Sequence, residues 1–240
     1  MTRQVLKSGD SVIVYDDTQV SQISPRFFEP DHWQGAASTT GKSGGRGAAV
    51  YISHAGQDWV LRHYYRGGLP GKILRDQFLW TGASRTRSLL EWDLLQLMVE
   101  RGLPAPVPVA ARYVRHGFFY TADLITRQLP AVTPFSTRLA TGPAPRELWQ
   151  HVGECIARFH MAGFCHADLN AHNLQVDAAN NAFLLDWDRG EWRVPGDWRA
   201  ANLARLRRSL LKISRNNAVH FEPAEWDTLL KAYADYRALT

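Results

Sequence analysis

His166-Ala167-Asp168-Leu169-Asn170-Ala171-His172-Asn173, followed by Leu185-Asp186-Trp187-Asp188, is the stretch on which the reading of this chain turns. One aspartate stands five residues before an asparagine, and Asp186 follows that aspartate by eighteen. Phosphoryl transfer needs little covalent help from a protein; it needs an acceptor hydroxyl in line with the γ-phosphate and Mg²⁺ to spread the phosphate charge. Asp168 is suited to orient the hydroxyl and accept its proton. Asn173 and Asp186 offer hard oxygen ligands to the metal. Taken singly, each of the three could instead cap a turn or end a strand. Together, with apolar residues between them, the intervals favour chemistry. The local order of strand, loop, short strand, turn and aspartate puts them at the ends of packed elements facing one cleft. His166, two residues before the base, reads as a support for the loop rather than as a proton carrier.

Working outward, the chain before this stretch is strand-rich. Ser11 to Tyr15, Ala48 to Ser53 and Asp58 to Tyr64 carry β-branched and aromatic residues, the last following a His-Ala-Gly-Gln turn. Arg26 to Trp33 suggests a short helix after Pro25. From Ser84 to Arg101, Leu90, Leu94, Leu97 and Met98 recur at helical intervals, and Gly102 and Pro104 end the helix. Val107 to Arg115 and Phe118 to Leu124 read as two further strands around His116-Gly117. The second half is mainly helical: Arg146 to Met161, Trp198 to Ser214 and Pro223 to Leu239, with short strands at Leu174 to Val176 and Phe183 to Leu185. The pattern predicts α+β architecture, a β-rich N-lobe with one long helix and a helical C-lobe. The expected division is 1–122 and 123–240, with Asp123 to Pro134 as hinge and linker.

Ser38 to Gly47 is rich in glycine and small polar residues. Glycines let backbone N–H groups approach phosphate oxygens, so Gly45 and Gly47 are candidates for cradling a nucleotide. A flexible hairpin loop is the competing reading. A Walker A reading of Gly41-Lys42-Ser43 fails on spacing, because Ala36 stands where the first glycine belongs. Arg62 follows Trp59-Val60-Leu61 and could reach the α- and β-phosphates. Glu91 shares a helical stripe with Leu94, Leu95 and Met98, so an acid on a mostly buried face needs a partner, and Arg62 is the best candidate. Its alternative is an ordinary helix-surface residue. His160, Cys165, His166 and His172 match no structural zinc spacing. Arg205, Arg208 and Lys212 share one face of the Trp198–Ser214 segment, a solvated face or one that meets an anionic partner.

The 240 residues suffice for one large core or two modest lobes. A net charge of +5, with arginine far outnumbering lysine, suits a phosphate- or carboxylate-bearing partner without choosing among them. Two cysteines do not make a disulfide framework, which points to a reducing compartment. The first residues contain no apolar run of signal-peptide length, and none of the length needed to span a bilayer occurs elsewhere. Membrane association would have to be peripheral.

With these residues in hand, the chain resembles the 3-deoxy-D-manno-octulosonic acid (Kdo) kinases, lipopolysaccharide-core kinases related to the protein-kinase fold. The likeness covers most of the chain. It rests on Gly45-Arg46-Gly47, on Gln57 to Tyr64 with Arg66-Gly67-Gly68-Leu69, on Gly71-Lys72, and on His166 to Asn173 with Asp186-Trp187-Asp188. The catalytic motif alone is shared with aminoglycoside and choline kinases. The resemblance implies a protein-kinase-like two-lobe fold using ATP and Mg²⁺ to phosphorylate the 4-hydroxyl of Kdo on a lipid A precursor. The work would be done at the cytoplasmic face of the bacterial inner membrane. The kinase pattern usually places lysine at position 62, but the resemblance makes Arg62 ordinary. The expected site is Asp168 as base, Asn173 and Asp186 on metal, and Gly45, Gly47, Arg62, Glu91 and Asp123 on the nucleotide, with backbone at Ala122 to Leu124 meeting adenine. A lipid-linked Kdo acceptor and an anionic membrane surface are the expected partners of a monomer that binds no nucleic acid. Only Arg189 to Gly196 separates Asp188 from the next helix, and no Ala-Pro-Glu motif follows, which favours a small or glycolipid acceptor over a peptide. A kinase for another acceptor and a nucleotide-binding pseudokinase scaffold are the alternatives.

Overall fold

Alternation of apolar side chains builds the first part of the chain from strands joined by tight turns. A computed structural model describes residues 2–33, 37–39, 49–66, 75–215 and 219–239. The chain divides into two units, Met1–Gln96 with Pro106–Gln128, and Leu97–Ala105 with Leu129–Thr240. The strands of the first unit are β1 (Arg3–Ser8), β2 (Ser11–Asp16), β3 (Ala37–Thr39), β4 (Ala49–His54), β5 (Gln57–His63), β6 (Phe78–Leu79), β7 (Pro108–His116) and β8 (Phe119–Arg127). They pair antiparallel in the order β1-β2-β7-β8-β5-β4-β3, with β6 on β8. Ala55 and Gly56, at φ 50° and 77°, close the two-residue β4–β5 hairpin in the left-handed region that its twist demands.

The two faces of β5 have different work. Trp59 and Leu61 point into an apolar cluster with Ile13, Val20, Phe28, Val50, Ile52, Val109 and Ile125. Arg62 lies on the opposite side of the pleat and meets α1 (Arg87–Glu100). That helix is tied to the sheet by the Ser88 hydroxyl donating to the Arg112 carbonyl (2.8 Å) and by the Arg87 N–H donating to the Tyr120 hydroxyl (3.1 Å).

The second unit carries β9 (Val132–Pro134), α2 (Phe135–Ala140), α3 (Arg146–Met161), β10 (Phe164–Cys165), β11 (Leu174–Asp177), β12 (Ala182–Leu184), β13 (Glu191–Trp192), α4 (Trp198–Ser214) and α5 (Pro223–Leu239). The small sheets are β12-β11-β9 and β10-β13. Helices α3 and α5 meet closely at Gly153, where a Cβ would come 2.3 Å from the Leu229 carbonyl oxygen.

The expected α+β organisation, strands first and helices after, is what the structure has. Three expectations change. Arg26 to Trp33 is two 3₁₀ turns, Pro25–Phe28 and Pro30–His32, because Pro30 holds Glu29 extended (φ −103°, ψ 114°) and breaks a continuous helix. β8 runs unbroken through Asp123 to Arg127, so the expected hinge begins as sheet and the division between units falls after Gln128. The elements β1, β3, β6, β9, β10, β13 and α2 were not given limits from the sequence; most are too short to show a period.

Candidate active site

The loop that carries Asp168 hangs from β10, whose Phe164 and Cys165 are buried, and is pinned by the fully buried Leu169, Ala171 and Leu174. Apolar residues alternate with polar ones here, so the chain is anchored every second step while the polar side chains turn outward. His166 is 1% exposed. Its Nε2–H donates to the Leu185 carbonyl (2.8 Å), and its Nδ1 accepts the Asp168 backbone N–H (3.0 Å). An Nδ1 that accepts cannot be protonated, and burial pushes the imidazole pKa below its ordinary value against the pull of the Leu185 carbonyl and of Asp186 and Asp168. Both ring nitrogens are thus committed to fixing the loop.

Asn170 is the second organiser. Its Oδ1 accepts the backbone N–H groups of His172 (2.8 Å) and Asn173 (3.1 Å), while its Nδ2 donates to the Asp168 carboxylate (3.1 Å) and carbonyl (3.0 Å). This asparagine-centred turn folds Asn173 back, so that Asn173 Nδ2 donates to the Asp168 carbonyl (2.9 Å). The Asn173 carbonyl in turn accepts the Leu185 N–H (2.9 Å). Leu185 is therefore bonded through its carbonyl to His166 and through its N–H to Asn173, and the next residue is Asp186. The structure thereby ties together the three residues singled out by their intervals. Asp186 has φ 62°, a conformation that only glycine, asparagine and aspartate adopt readily and that re-aims the side chain at the strand end. Asp168 remains open, its side chain 65% exposed.

Helix α4 backs this loop. Buried Asn202 donates from Nδ2 to the His166 carbonyl (2.8 Å), Ser209 Oγ accepts the Ala171 N–H (3.4 Å), and Arg205 Nη1 lies 3.0 Å from Asp168 Oδ1. Asn202 Oδ1 takes the Nε2–H of His160 (3.3 Å), whose Nδ1 takes the Tyr233 hydroxyl (3.0 Å). One satisfied network thus links α3, α4 and α5 to the loop. Burial lowers the His160 pKa from 6.5 to about 4, with Asn202 opposing and Arg199 adding to the shift. The folded state keeps this histidine neutral, whereas the unfolded chain protonates it below 6.5. Its contribution is complete above that pH and is lost as pH falls toward 4, by roughly 3 kcal/mol in all. Denaturant titrations at pH 7 and pH 4.5 should show a larger stability loss for the parent protein than for His160→Gln; equal losses would remove His160 as the source.

In the first unit, the expected partners Arg62 and Glu91 are in contact, Arg62 Nη2 on Glu91 Oε1, and the Tyr64 hydroxyl donates to Glu91 Oε2. Glu91 is 2% exposed, so little water solvates its charge and the Arg62 and Tyr64 contacts help to compensate its burial. Asp123 has a different role from the one expected. It is 2% exposed, its Oδ2 accepts from Arg112 Nε (2.8 Å) and its Oδ1 lies 2.7 Å from His63 Nδ1. Burial works against a charged His63, but Asp123 and Asp76 outweigh it and raise the pKa. Residues 122–124 sit in mid-strand between β5 and β7, and the Ala122 carbonyl already accepts the Tyr64 N–H (3.0 Å). A strand bonded on both edges offers no backbone to an adenine, so Asp123 is a cross-strand anchor. Gly45 and Gly47 lie outside the described residues.

The sequence profile of the Lipopolysaccharide kinase (Kdo/WaaP) family matches residues 31–233. This chain belongs to that family. Similar curated proteins include a 3-deoxy-D-manno-octulosonic acid kinase of Stenotrophomonas maltophilia (strain K279a), 41% identical over 94% of this chain and 90% of its own length. Another of the same description, from Xylella fastidiosa (strain 9a5c), is 40% identical over 93% and 90%. As a member of the Kdo/WaaP family the chain is a phosphotransferase with an alcohol group as acceptor, and its α+β fold is protein-kinase-like. Among solved structures, the bifunctional kinase-methyltransferase WbdD is similar at 18% identity and a TM-score of 0.45, over 86% of this chain and 47% of that one. Monomeric WbdD is similar at 16% and 0.47, over 84% and 49%. The chain spans about half the length of those proteins.

Membership of a kinase family implies the use of ATP, Mg²⁺ is typical of such enzymes, and the donors present would fit that cation. Asn173 spends its Nδ2 on the Asp168 carbonyl, which leaves Oδ1 as its acceptor, and Asp186 adds a carboxylate on the adjoining turn. An amide and a carboxylate suit a cation that takes most of its shell from phosphate and water. Among the described residues no group of three His, Cys, Asp or Glu side chains could hold a metal alone. Asn170, Asn202 and Ser209 were not anticipated as site residues, and Arg205 was anticipated only as part of a basic face, solvated or meeting an anionic partner. The available signals were the turn propensity of Asn170 and the polar Asn202 in the apolar stripe of α4.

Proposed function

We propose that this protein transfers the γ-phosphate of ATP to the 4-hydroxyl of a Kdo residue on a lipid A precursor, in building the lipopolysaccharide core. The observation that carries the reading is the tie through Leu185, which fixes the loop of an exposed carboxylate, Asp168, to Asn173 and to the turn of Asp186. Family membership and the description of the relatives as 3-deoxy-D-manno-octulosonic acid kinases supply the acceptor. Asp168 orients the acceptor hydroxyl and takes its proton. Asn173 and Asp186 hold Mg²⁺, which when bound disperses the charge of the phosphates. Arg62, kept in place by Glu91, binds phosphate through its guanidinium fork, and Gly45 and Gly47 are the residues proposed to contribute backbone N–H groups to the same phosphates. The short stretch from Asp188 to α4 leaves little chain to hold a peptide, which supports a glycolipid acceptor.

The site of action is proposed to be the cytoplasmic face of the inner membrane, with the monomer bound peripherally. Among the described residues no helix is long and apolar enough to cross a membrane. Attachment then rests on charge. Helix α4 contains no acidic residue, Arg208 and Lys212 lie exposed one turn apart on it, and the exposed Arg215 is its C-cap. Each basic residue near an anionic surface contributes about 1 kcal/mol, so reversing all three to glutamate should lower partition onto phosphatidylglycerol vesicles by about 100-fold or more. Activity on a water-soluble acceptor should stay as it was. Unchanged co-sedimentation with those vesicles would take α4 out of membrane binding.

The proposed reaction is tested by incubating the protein with labelled ATP and a panel of Kdo-lipid, free sugar, aminoglycoside and peptide acceptors. Mass spectrometry of lipid A from cells with and without the protein should show one added phosphate on the Kdo-bearing species. Label appearing only on a soluble sugar or a peptide would reject the glycolipid acceptor.

A further inference from the structure

Arg205 leaves α4 beside the base. The helix is fixed to the catalytic loop on both sides of it, by Asn202 on the His166 carbonyl (2.8 Å) and by Ser209 on the Ala171 N–H (3.4 Å). Leu206 and Leu210, fully buried, seat the helix beneath. Arg205 therefore reaches Asp168 from a rigid base, with Nη1 3.0 Å from Oδ1, and its side chain is still 48% exposed. Holding Asp168 does not by itself require a cation, because Asn170 already donates to Oδ2 (3.1 Å). A guanidinium has five N–H donors in a planar fork, and one contact to Asp168 leaves donors for a second carboxylate alongside the first.

We infer that Arg205 is a specificity residue that reads the carboxylate of the acceptor sugar at the same time as it touches the base. The inference rests on the acceptor proposed above. In an octulosonic acid of this kind the ring carbon that bears the carboxylate and the carbon that bears the 4-hydroxyl are separated by a single methylene. With that hydroxyl at hydrogen-bonding distance of Asp168, the sugar carboxylate lies two ring carbons away, and one orientation of the ring sets it within reach of Arg205. One guanidinium then spans two carboxylates, the protein's and the substrate's, and couples recognition of an acidic sugar to placement of its hydroxyl. A neutral sugar would leave those donors unpaired at the moment the site closes on it.

The experiment compares a Kdo-bearing lipid acceptor with its carboxyl-reduced counterpart, in which the acid is a primary alcohol, using the full-length protein. The parent protein should prefer the acid by about 10- to 100-fold in kcat/KM, the range of a hydrogen bond to a charged group. Arg205→Gln should lower kcat/KM for the acid by a similar factor, leave the KM for ATP unchanged and abolish the preference between the two acceptors. Arg205→Lys should keep part of the preference, having the charge without the fork. If Arg205 merely steadies Asp168, Arg205→Gln will slow both acceptors equally and the ratio will survive, which overturns the inference. A parent protein that phosphorylates both acceptors equally overturns it as well, without any variant, and leaves the proposed reaction standing. Phosphorylation of neither acceptor by the parent protein rejects the proposed reaction and this inference with it.

Discussion

Asp168→Ala is expected to lower phosphoryl transfer by about 1,000-fold while nucleotide binding persists, the loss that follows removal of a positioned general base. The geometry makes this substitution unusually selective. His166 Nδ1 and Asn173 Nδ2 are both bonded to the backbone of residue 168, at its N–H (3.0 Å) and carbonyl (2.9 Å), and not to its carboxylate. Truncation at Cβ therefore leaves the loop and Asn173 where they are. What disappears is an exposed carboxylate with its contacts to Arg205 and Asn170. Exposed pairs of this kind contribute at most about 1 kcal/mol, so the unfolding temperature should barely move. Nucleotide binding by fluorescence or calorimetry, beside turnover with labelled ATP, separates the two effects. Near-wild-type phosphorylation by the variant would remove Asp168 from its role.

Asp186→Asn is expected to lower turnover by about 100-fold or more and to raise the Mg²⁺ concentration needed for half-maximal rate, because a charged oxygen ligand is replaced by a neutral one. Asparagine is the informative replacement. At φ 62° an alanine would add strain of about 1–2 kcal/mol, which asparagine largely avoids, so Asp186→Ala confounds lost ligation with a disturbed turn. The turn itself is held by backbone bonds from Leu185 to Asn173 and His166, which the substitution does not touch. A Mg²⁺ titration of the rate is the decisive measurement: an unchanged half-maximal concentration would mean that Asp186 does not hold the metal.

The parts of the site that were legible in the sequence are those whose partners lie close along the chain. Asp168, Asn170 and Asn173 are bonded to one another within five residues, and His166 reaches Leu185 across 19. Such spacing is constrained by the chemistry and by local turn geometry together, so it survives as a pattern. Arg62 and Glu91 are 29 residues apart, and they could be paired because an acid on the buried stripe of a helix demands a counter-charge. Asp123 misled for the converse reason. It was expected to open the hinge that meets adenine, and nothing nearby in sequence reveals that the strand runs on to Arg127 or that Arg112 and His63 close on Asp123 from the two neighbouring strands. Long amphipathic helices fared best: α4 and α5 have the expected limits, whereas two- and three-residue strands carry no period to read.

The sequence by itself pointed to the class of chemistry that family membership bears out, through the residue types and intervals of Asp168, Asn173 and Asp186, the residues proposed to carry it. It determined the order of strand-rich and helix-rich halves, because hydrophobic period is a local property. Only the tertiary structure decided what surrounds Asp168. Asn202 and Arg205 reach the loop from 36 and 37 residues away, on a helix whose composition reads as an ordinary amphipathic one. Which face of α4 meets the loop is set by the burial of Leu206 and Leu210, and that packing turns Arg205 from one surface arginine among several into the one in contact with Asp168.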